Sequence, residues 1–311
     1  MIIDTHFHAF PAKLLEKVPG ASKGDPRGLG FHAFTYEEYI GHLDRYGIDI
    51  GVLSHPAGGI EVGFNRERAL DLARLCNDAY AEYSHRYPQR LKWFARIPMV
   101  HMDDALAELH RCMKDLGAHG VVSPTNIGGE KSLDDAQFAP FWAEVARYDV
   151  PVFLHPHDAP CSPRWHKFSL QQKLHWPADT TLALSRLVLS GIFDRHPGLK
   201  LIAAHLGGMT LIYLDRINWQ EGNPECARIP EEYFKKIFYD IAGPVRAPAI
   251  RCVCDTVGTD QVLFGGDYPH GRGGRDDQFY PMALRAMEEL DLPAEDKEKI
   301  FYKNALRIFR F

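Results

Sequence analysis

Short apolar segments alternate with amphipathic helical patterns along the whole of this 311-residue chain. Eight segments have the length and β-branched content of buried strands: 2–6, 48–54, 91–97, 119–123, 150–155, 199–205, 237–241 and 261–266. Apolar residues recur at helical spacing in the intervening stretches, which predicts helices at 35–46, 65–87, 103–116, 135–148, 180–195, 209–219, 245–257, 278–290 and 294–302. This alternation restricts the chain to an α/β architecture with a mostly parallel sheet.

Two α/β folds accommodate such a pattern, a (β/α)8 barrel and a doubly wound open sheet. Four of the segments end in metal-binding side chains or are directly followed by them, namely His6 and His8, His155, His205 and Asp267. Only closure of the sheet brings the first strand beside the last, and barrel sites lie at the carboxyl ends of strands. We therefore predict an α/β (β/α)8 TIM barrel forming a single domain over residues 1–311, with the open sheet as the alternative.

The segment His6-Phe7-His8 is the strongest individual sign of a metal site. Side chains alternate along a strand, so both imidazoles should point the same way, about 7 Å apart along the strand. His155 ends a strongly apolar strand, where its position favours ligation over a satisfied core histidine. Asp267 follows two glycines at the end of a buried strand, where a carboxylate needs a metal or a salt bridge. The set predicts a divalent metal site with an open position, as catalytic zinc requires.

His205 is followed by Leu206-Gly207-Gly208 at the end of the sixth predicted strand. It is either a fourth imidazole on the metal or, as we favour, an acid/base close to metal-bound water. A structural histidine beneath the barrel rim is the remaining alternative.

The loops after the predicted strands hold candidates for binding a carboxylate substrate. His157 ranks first because it lies two residues beyond His155, and the others are Arg27, Arg164, His166, His175, His270 and Arg272. The loop after the fifth strand also contains Trp165, Phe168 and Trp176, enough apolar surface for a lid or for a contact within a homodimer or higher homo-oligomer.

The net charge and the hydropathy of the chain argue against a nucleic-acid partner and against a membrane span. The net charge of −5 argues against nucleic acid, which usually binds a basic surface. No apolar run approaches the roughly 20 residues of a membrane span. The first residues lack the basic region and long apolar stretch of a signal peptide, so we expect a cytoplasmic protein.

The chain resembles the amidohydrolase superfamily, in the branch of metal-dependent decarboxylases that includes aminocarboxymuconate-semialdehyde decarboxylase and the resorcylate-type aromatic acid decarboxylases. The matching segments are 4–11, 77–90, 155–158, 189–197, 205–208 and 264–270, which together span nearly the whole chain. The resemblance implies that His6, His8, His155 and Asp267 bind one divalent ion. It implies that His205 acts on the water or on the substrate.

The absence of a lysine at the end of the fourth predicted strand bears on the number of metal ions. Two-metal amidohydrolases generally place a bridging lysine at the end of strand 4, whereas here the sequence runs from Gly120 to Asn126 without one, and the next lysine is Lys131. We therefore expect a single divalent ion. Zinc suits this nitrogen-rich set, and manganese would fit as well.

The leading functional prediction is non-oxidative decarboxylation of a small unsaturated or aromatic carboxylic acid, with His205 or Asp267 delivering a proton to the carbon that bears the carboxylate. Hydrolysis or hydration of a lactone, an amide or a conjugated double bond on the same site is the alternative. A non-catalytic metal-binding protein is a third reading, which the cysteine-free ligand set disfavours.

Overall fold

The computed structural model describes residues 1–17, 35–55, 65–157, 161–219, 224–270, 279–309 and 311. Eight parallel strands form one sheet: β1 (Ile3–His8), β2 (Ile50–Ser54), β3 (Leu91–Arg96), β4 (Gly120–Pro124), β7 (Pro151–His155), β8 (Lys200–Ala203), β9 (Phe238–Asp240) and β10 (Val262–Leu263). Each strand pairs with the next in this order. A small antiparallel pair, β5 (Asn126–Ile127) and β6 (Lys131–Ser132), lies between β4 and β7 in the chain.

The sheet closes on itself where the residues after β10 meet β1. The backbone N–H of Thr5 donates to the carbonyl of Phe264 at 3.0 Å, and that of Asp267 donates to the carbonyl of His6 at 2.9 Å. The N–H of His8 completes the series with the carbonyl of Tyr268 at 2.8 Å. The barrel prediction is therefore confirmed, and the open-sheet alternative is wrong.

Helices surround the ring of strands. They are α1 (Ala12–Lys17), α2 (Tyr36–Arg45), α3 (Arg66–Arg86), α4 (Met102–Lys114), α5 (Ala139–Tyr148), α6 (Trp176–Leu189), α7 (Ile192–Arg195), α8 (Leu214–Ile217), α9 (Pro230–Phe234), α10 (Ala247–Val257), α11 (Phe279–Glu289), α12 (Ala294–Glu298) and α13 (Asn304–Ile308). Side-chain caps set two of the starts: Asn65 accepts from the N–H of Arg68 before α3, and Thr35 forms a capping box with Glu38 before α2.

Three of the predicted helices differ from the structure. The predicted helix 180–195 is two helices, because Gly191 has a φ of 71° and ends the regular path. The predicted helix 209–219 is mostly turns, and only α8 is helical. The predicted helix 294–302 is α12 followed by a π-helical turn at Lys299–Lys303. Neither α1 nor α9 was predicted, since five or six residues give too little periodicity to detect.

Alternation along the strands separates two apolar layers. One cluster fills the barrel interior and includes Val52, Phe94, Val122, Phe153 and Ile202. The intervening residues of the same strands, such as Leu53, Trp93, Val121 and Leu154, pack outward under the helices. Side chains two positions apart along a strand share a side. A residue two positions beyond an interior residue, at the carboxyl end of its strand, therefore points over the barrel axis.

Strand β1 departs from this alternation in a way that matters for the site. Its pairing with β2 shifts register between Asp4 and Phe7. Ile3 belongs to the interior cluster and Phe7 to the outer one, although strict alternation would put both on the same side. The irregularity turns His6 inward, where its ring lies 4.9 Å from that of Phe153. Bulges commonly re-aim side chains at barrel rims in this way.

Candidate metal centre

Imidazole nitrogens and one carboxylate converge at the carboxyl end of the barrel. The Nε2 atoms of His6 and His8 are 3.1 Å apart, and each lies 3.2 Å from Oδ1 of Asp267. The rings of His155 and His205 lie 4.9 and 4.7 Å from that of His6. We call these five residues the His/Asp cluster. Both histidines of β1 are fully buried.

Oxygen acceptors outside the cluster fix which nitrogen carries a proton in three of its four imidazoles. Nδ1 of His6 donates to Oδ2 of Asp240 at 2.9 Å. Nδ1 of His155 donates to the carbonyl of Pro156 at 2.7 Å, and Nδ1 of His205 to the carbonyl of Ala242 at 3.1 Å. In a neutral imidazole, Nε2 is then an unprotonated lone pair, which is the form that binds a metal.

These lone pairs fit a divalent cation. Nε2 of His6 lies 3.2 Å from Oδ1 of Asp267, and Nε2 of His155 is buried without a hydrogen-bond partner among the described residues. One ligand atom each from His6, His155, His205 and Asp267 lies within 4.8 Å of all the others. A cation at their centre would satisfy every one of these atoms, and nitrogen with carboxylate oxygen is a donor set that zinc or manganese accepts.

A second group of possible metal ligands shares Asp267 with the first. Ligand atoms of His8, Asp267 and His270 also lie within 4.8 Å of one another, and the ring of His270 is 5.2 Å from that of His8. His270, predicted as a substrate-binding residue, is therefore placed at the edge of the cluster.

Electrostatics favour a positive charge at this point. Burial by itself would lower the pKa of His6, but the carboxylates of Asp240 and Asp267 outweigh it and raise that pKa to about 10. Burial would raise the pKa of Asp267, yet His270 and His6 hold it well below its usual range. At His155, burial and the neighbouring His8 lower the pKa well below its usual value. The two carboxylates thus stabilise a cation, which a proton or a metal ion can supply.

The backbone that carries His205 and Asp267 is unusual. Both residues have a positive φ, 54° and 59°, a region that non-glycine residues seldom occupy. At Gly266 a Cβ would overlap the Tyr280 ring, so the chain approaches that ring more closely than any side chain permits. These turns end β8 and β10 earlier than predicted, and they aim the two side chains into the cluster.

Asp240 was not predicted as a site residue. It ends β9 and is fully buried. Besides holding His6, it accepts through Oδ1 from the backbone N–H groups of His205 at 2.9 Å and Ala242 at 3.1 Å. The rule that identified the other residues, a polar side chain at the end of an apolar strand, applies equally to Phe238-Tyr239-Asp240 and could have found it.

Arg96 was also missed. It ends β3, is fully buried, and lies two residues beyond the interior residue Phe94. The rule that side chains two apart share a side places it over the barrel mouth.

The substrate-binding candidates fall in different places. His157 is 2% exposed, and burial together with the charge of Arg96 lowers its pKa to about 4. A neutral imidazole offers a hydrogen-bond partner rather than a positive charge. Arg164 and His166 are exposed, and His175 is partly buried. Arg27 and Arg272 lie outside the described residues.

No helix in the described part of the chain combines the length and the apolar character that crossing a bilayer requires.

Comparison with known proteins gives consistent matches over nearly the full length. An amidohydrolase family model matches residues 3–311. A γ-resorcylate decarboxylase from Rhodococcus jostii (strain RHA1) is 30% identical over 288 residues, covering 86% of this chain and 85% of the relative.

Solved structures give the same picture. A 2,6-dihydroxybenzoate decarboxylase in complex with 2,6-dihydroxybenzoate has a TM-score of 0.85 and 27% identity, covering 99% of this chain and 98% of that one. A dihydroxybenzoic acid decarboxylase from Polaromonas sp. JS666, solved with manganese and the inhibitor 2-nitroresorcinol, has a TM-score of 0.84 and 26% identity, covering 99% and 96%.

Proposed function

The chain belongs to the amidohydrolase family, and on that premise we propose that it is a metal-dependent, non-oxidative decarboxylase of a small aromatic carboxylic acid. The family resemblance seen in the sequence motifs is thereby confirmed. The main support for the activity is that a relative matching most of this chain is a decarboxylase, while the barrel mouth holds a His/Asp cluster suited to a divalent ion.

His6, His8, His155 and Asp267 would hold the ion. When bound, a divalent ion supplies positive charge that fixes and polarises the substrate carboxylate and a neighbouring oxygen. We propose zinc as the resident metal because nitrogen ligands predominate, and manganese is the alternative because a similar structure contains it.

His205 and Asp267 are the groups placed to move a proton. In the proposed reaction, one of them protonates the ring carbon that bears the carboxylate, forming a C–H bond and interrupting the conjugation of the ring. The bond to the carboxylate then breaks, its electron pair returns to the ring, and CO2 leaves. The Nδ1–H of His205 donates to the carbonyl of Ala242, so the proton delivered to the ring carbon is the one that Nε2 carries when His205 is doubly protonated.

The test is product analysis of the metal-loaded protein with a panel of aromatic and muconate-type acids. We expect one CO2 for each molecule of acid consumed, together with the product that lacks the carboxylate. Ring-opened or hydrated products without CO2, formed from lactones or conjugated acids, would support the hydrolase or hydratase alternative instead.

Removal of metal should abolish turnover. We expect dialysis against a chelator to reduce activity to roughly 1% or less, because His6, His8, His155 and Asp267 cannot themselves polarise the carboxylate. Adding back zinc or manganese should restore it, with about one ion per chain by elemental analysis. Full activity in demonstrably metal-free protein would contradict the proposal.

We also propose that the chain forms a homodimer or a higher homo-oligomer. Large apolar side chains are exposed in the segment after β7, at Phe168 (69%) and Leu174 (51%), and directly after α8, at Trp219 (66%). Exposed apolar patches of this kind often mark subunit contacts. Light scattering coupled to size exclusion should give at least twice the chain mass of 35.3 kDa. A monomer at micromolar concentration would contradict this proposal. The single-domain organisation and the cytoplasmic location stay predictions.

A further inference from the structure

His270 lies within coordinating range of two residues of the proposed metal site. Its ligand atom and those of His8 and Asp267 all lie within 4.8 Å of one another. A zinc ion with bonds of about 2.1 Å holds two ligand atoms at most about 4.2 Å apart. The separations in this group exceed that limit by no more than about 0.6 Å, which small side-chain rotations can remove. The imidazole of His270 can therefore reach an ion that His8 and Asp267 bind.

Backbone and ring contacts keep His270 beside these two residues. Its backbone N–H donates to the carbonyl of Asp267 at 2.8 Å, so both residues belong to one turn. Its ring lies edge-on to that of His8, at 5.2 Å between centroids, and to that of Phe10, at 6.3 Å. The His8 ring is itself fixed, because its Nδ1 contacts Oγ of Ser54 at 3.0 Å. The turn and the ring contacts thus hold the imidazole of His270 next to the metal position.

His270 is held less firmly than the histidines of the proposed metal site. His6 and His8 lie on β1 and are fully buried, and His155 ends β7 and is almost fully buried. His270 follows the end of β10 and is only partly buried. Residues in turns move at a lower cost in free energy than residues inside paired strands. Of these four histidines, His270 is therefore the one that can leave a metal ion without disturbing the sheet.

The metal has a coordination position that the four proposed ligands do not fill. Zinc bound by His6, His8, His155 and Asp267 is four-coordinate, and it can expand to five-coordinate geometry. The substrate carboxylate has to enter at such an added position to be polarised. His270 is within reach of the same ion, so an imidazole and a carboxylate compete for the added position.

We propose that His270 is a displaceable fifth ligand of the resident ion, which occupies the added coordination position until the substrate carboxylate replaces it. This rests on the proposed function and deepens it. A ligand that competes with the acid strengthens metal binding and weakens acid binding. Its removal therefore shifts the two affinities in opposite directions, whereas removal of a side chain that binds the acid directly would weaken acid binding.

The first test measures both affinities in His270→Phe, a variant that keeps an aromatic ring beside His8 and Phe10. We expect the zinc dissociation constant, measured by competition with a chelator of known affinity, to rise at least roughly tenfold. On zinc-saturated protein, we expect the dissociation constant of 2-hydroxybenzoate, measured by calorimetry, to fall at least roughly threefold, because no imidazole has to be displaced.

The second test counts ligands through the visible absorption of cobalt-substituted protein, whose intensity falls as the coordination number of cobalt rises. Without acid, we expect weaker bands in the unaltered protein than in His270→Phe, because one more protein ligand is bound. At saturating 2-hydroxybenzoate the two spectra should coincide, since the acid then occupies the position that His270 has left.

His85→Phe is the matched control for both tests. His85 lies in the last turn of α3, exposed and at the end of the barrel opposite to the cluster, so its replacement should leave the affinities and the spectrum unchanged. Thermal unfolding of the metal-free proteins shows that each variant is folded. His270→Gln provides a second variant, because its amide oxygen is a weaker metal ligand and should give intermediate values.

The outcomes separate this inference from the proposed activity. Unchanged zinc affinity in His270→Phe, weaker acid binding in that variant, or no effect of 2-hydroxybenzoate on the cobalt spectrum of the unaltered protein would overturn the role of His270. Opposite shifts of the two affinities with coinciding acid-bound spectra, but no CO2 release from any acid, would support the role of His270 and count against the decarboxylase.

Discussion

Replacing Asp267 with asparagine is expected to lower the rate of CO2 release by roughly a hundredfold to ten-thousandfold and to reduce the metal content. The side chain lies 3.2 Å from Nε2 of both His6 and His8, so an amide there would remove a negative charge from the centre of the cluster. Replacing His205 with asparagine should cause a similar loss of turnover while leaving more of the metal bound, if His205 moves a proton rather than holding the ion.

The measurement is kcat and kcat/KM on each variant, with bound metal determined by elemental analysis on the same sample. Asp255→Asn is the matched control, because this aspartate lies on α10 with its side chain 64% exposed and should leave both quantities unchanged. Wild-type rates of CO2 release in both the Asp267 and the His205 variant would refute the proposed roles.

Ring closure could be predicted because it follows from a rule that acts on single residues. Polar side chains at strand ends must be satisfied, and those of β1 and β10 can satisfy each other only if the strands are neighbours. The backbone bonds between Thr5 and Phe264, and between Asp267 and His6, are the physical result.

The pattern of apolar and polar residues could not predict the finer backbone geometry of the site. The sequence 3–8 alternates regularly, and only the pairing with β2 reveals the register shift that turns His6 towards Phe153. The positive φ values at His205 and Asp267 have no sequence signal beyond the adjacent glycines. Such features depend on tertiary contacts that no local propensity encodes.

The same limit applies to the groups that orient the cluster. The prediction identified which imidazoles meet, but the orientation of His6 and His8 depends on partners distant in sequence. Asp240 contacts His6 across 234 residues, and Ser54 contacts His8 across 46. The strand-end rule could have selected Asp240 as a polar residue, but nothing in its sequence neighbourhood shows that its partner is His6.

Asp240 provides the second large effect that we expect. It is a positioning residue. One carboxylate oxygen accepts a hydrogen bond from Nδ1 of His6, and the other accepts hydrogen bonds from the backbone N–H groups of His205 and Ala242. In Asp240→Asn, an amide of the same shape must direct Nδ2 either at those N–H groups or at His6. The second arrangement requires Nδ1 of His6 to accept, which moves its proton to Nε2 and aims it at the metal position.

We therefore expect Asp240→Asn to weaken metal binding by roughly tenfold to a hundredfold and to lower kcat at saturating metal. The metal dissociation constant is measured by competition with a chelator of known affinity. Asp255→Asn again serves as the control. Thermal unfolding of the metal-free variants distinguishes a positioning role from a general loss of stability, because only the former leaves the metal-free midpoint near that of the unaltered protein. An Asp240→Asn variant with unchanged metal affinity and unchanged kcat would show that His6 does not depend on this carboxylate for its orientation.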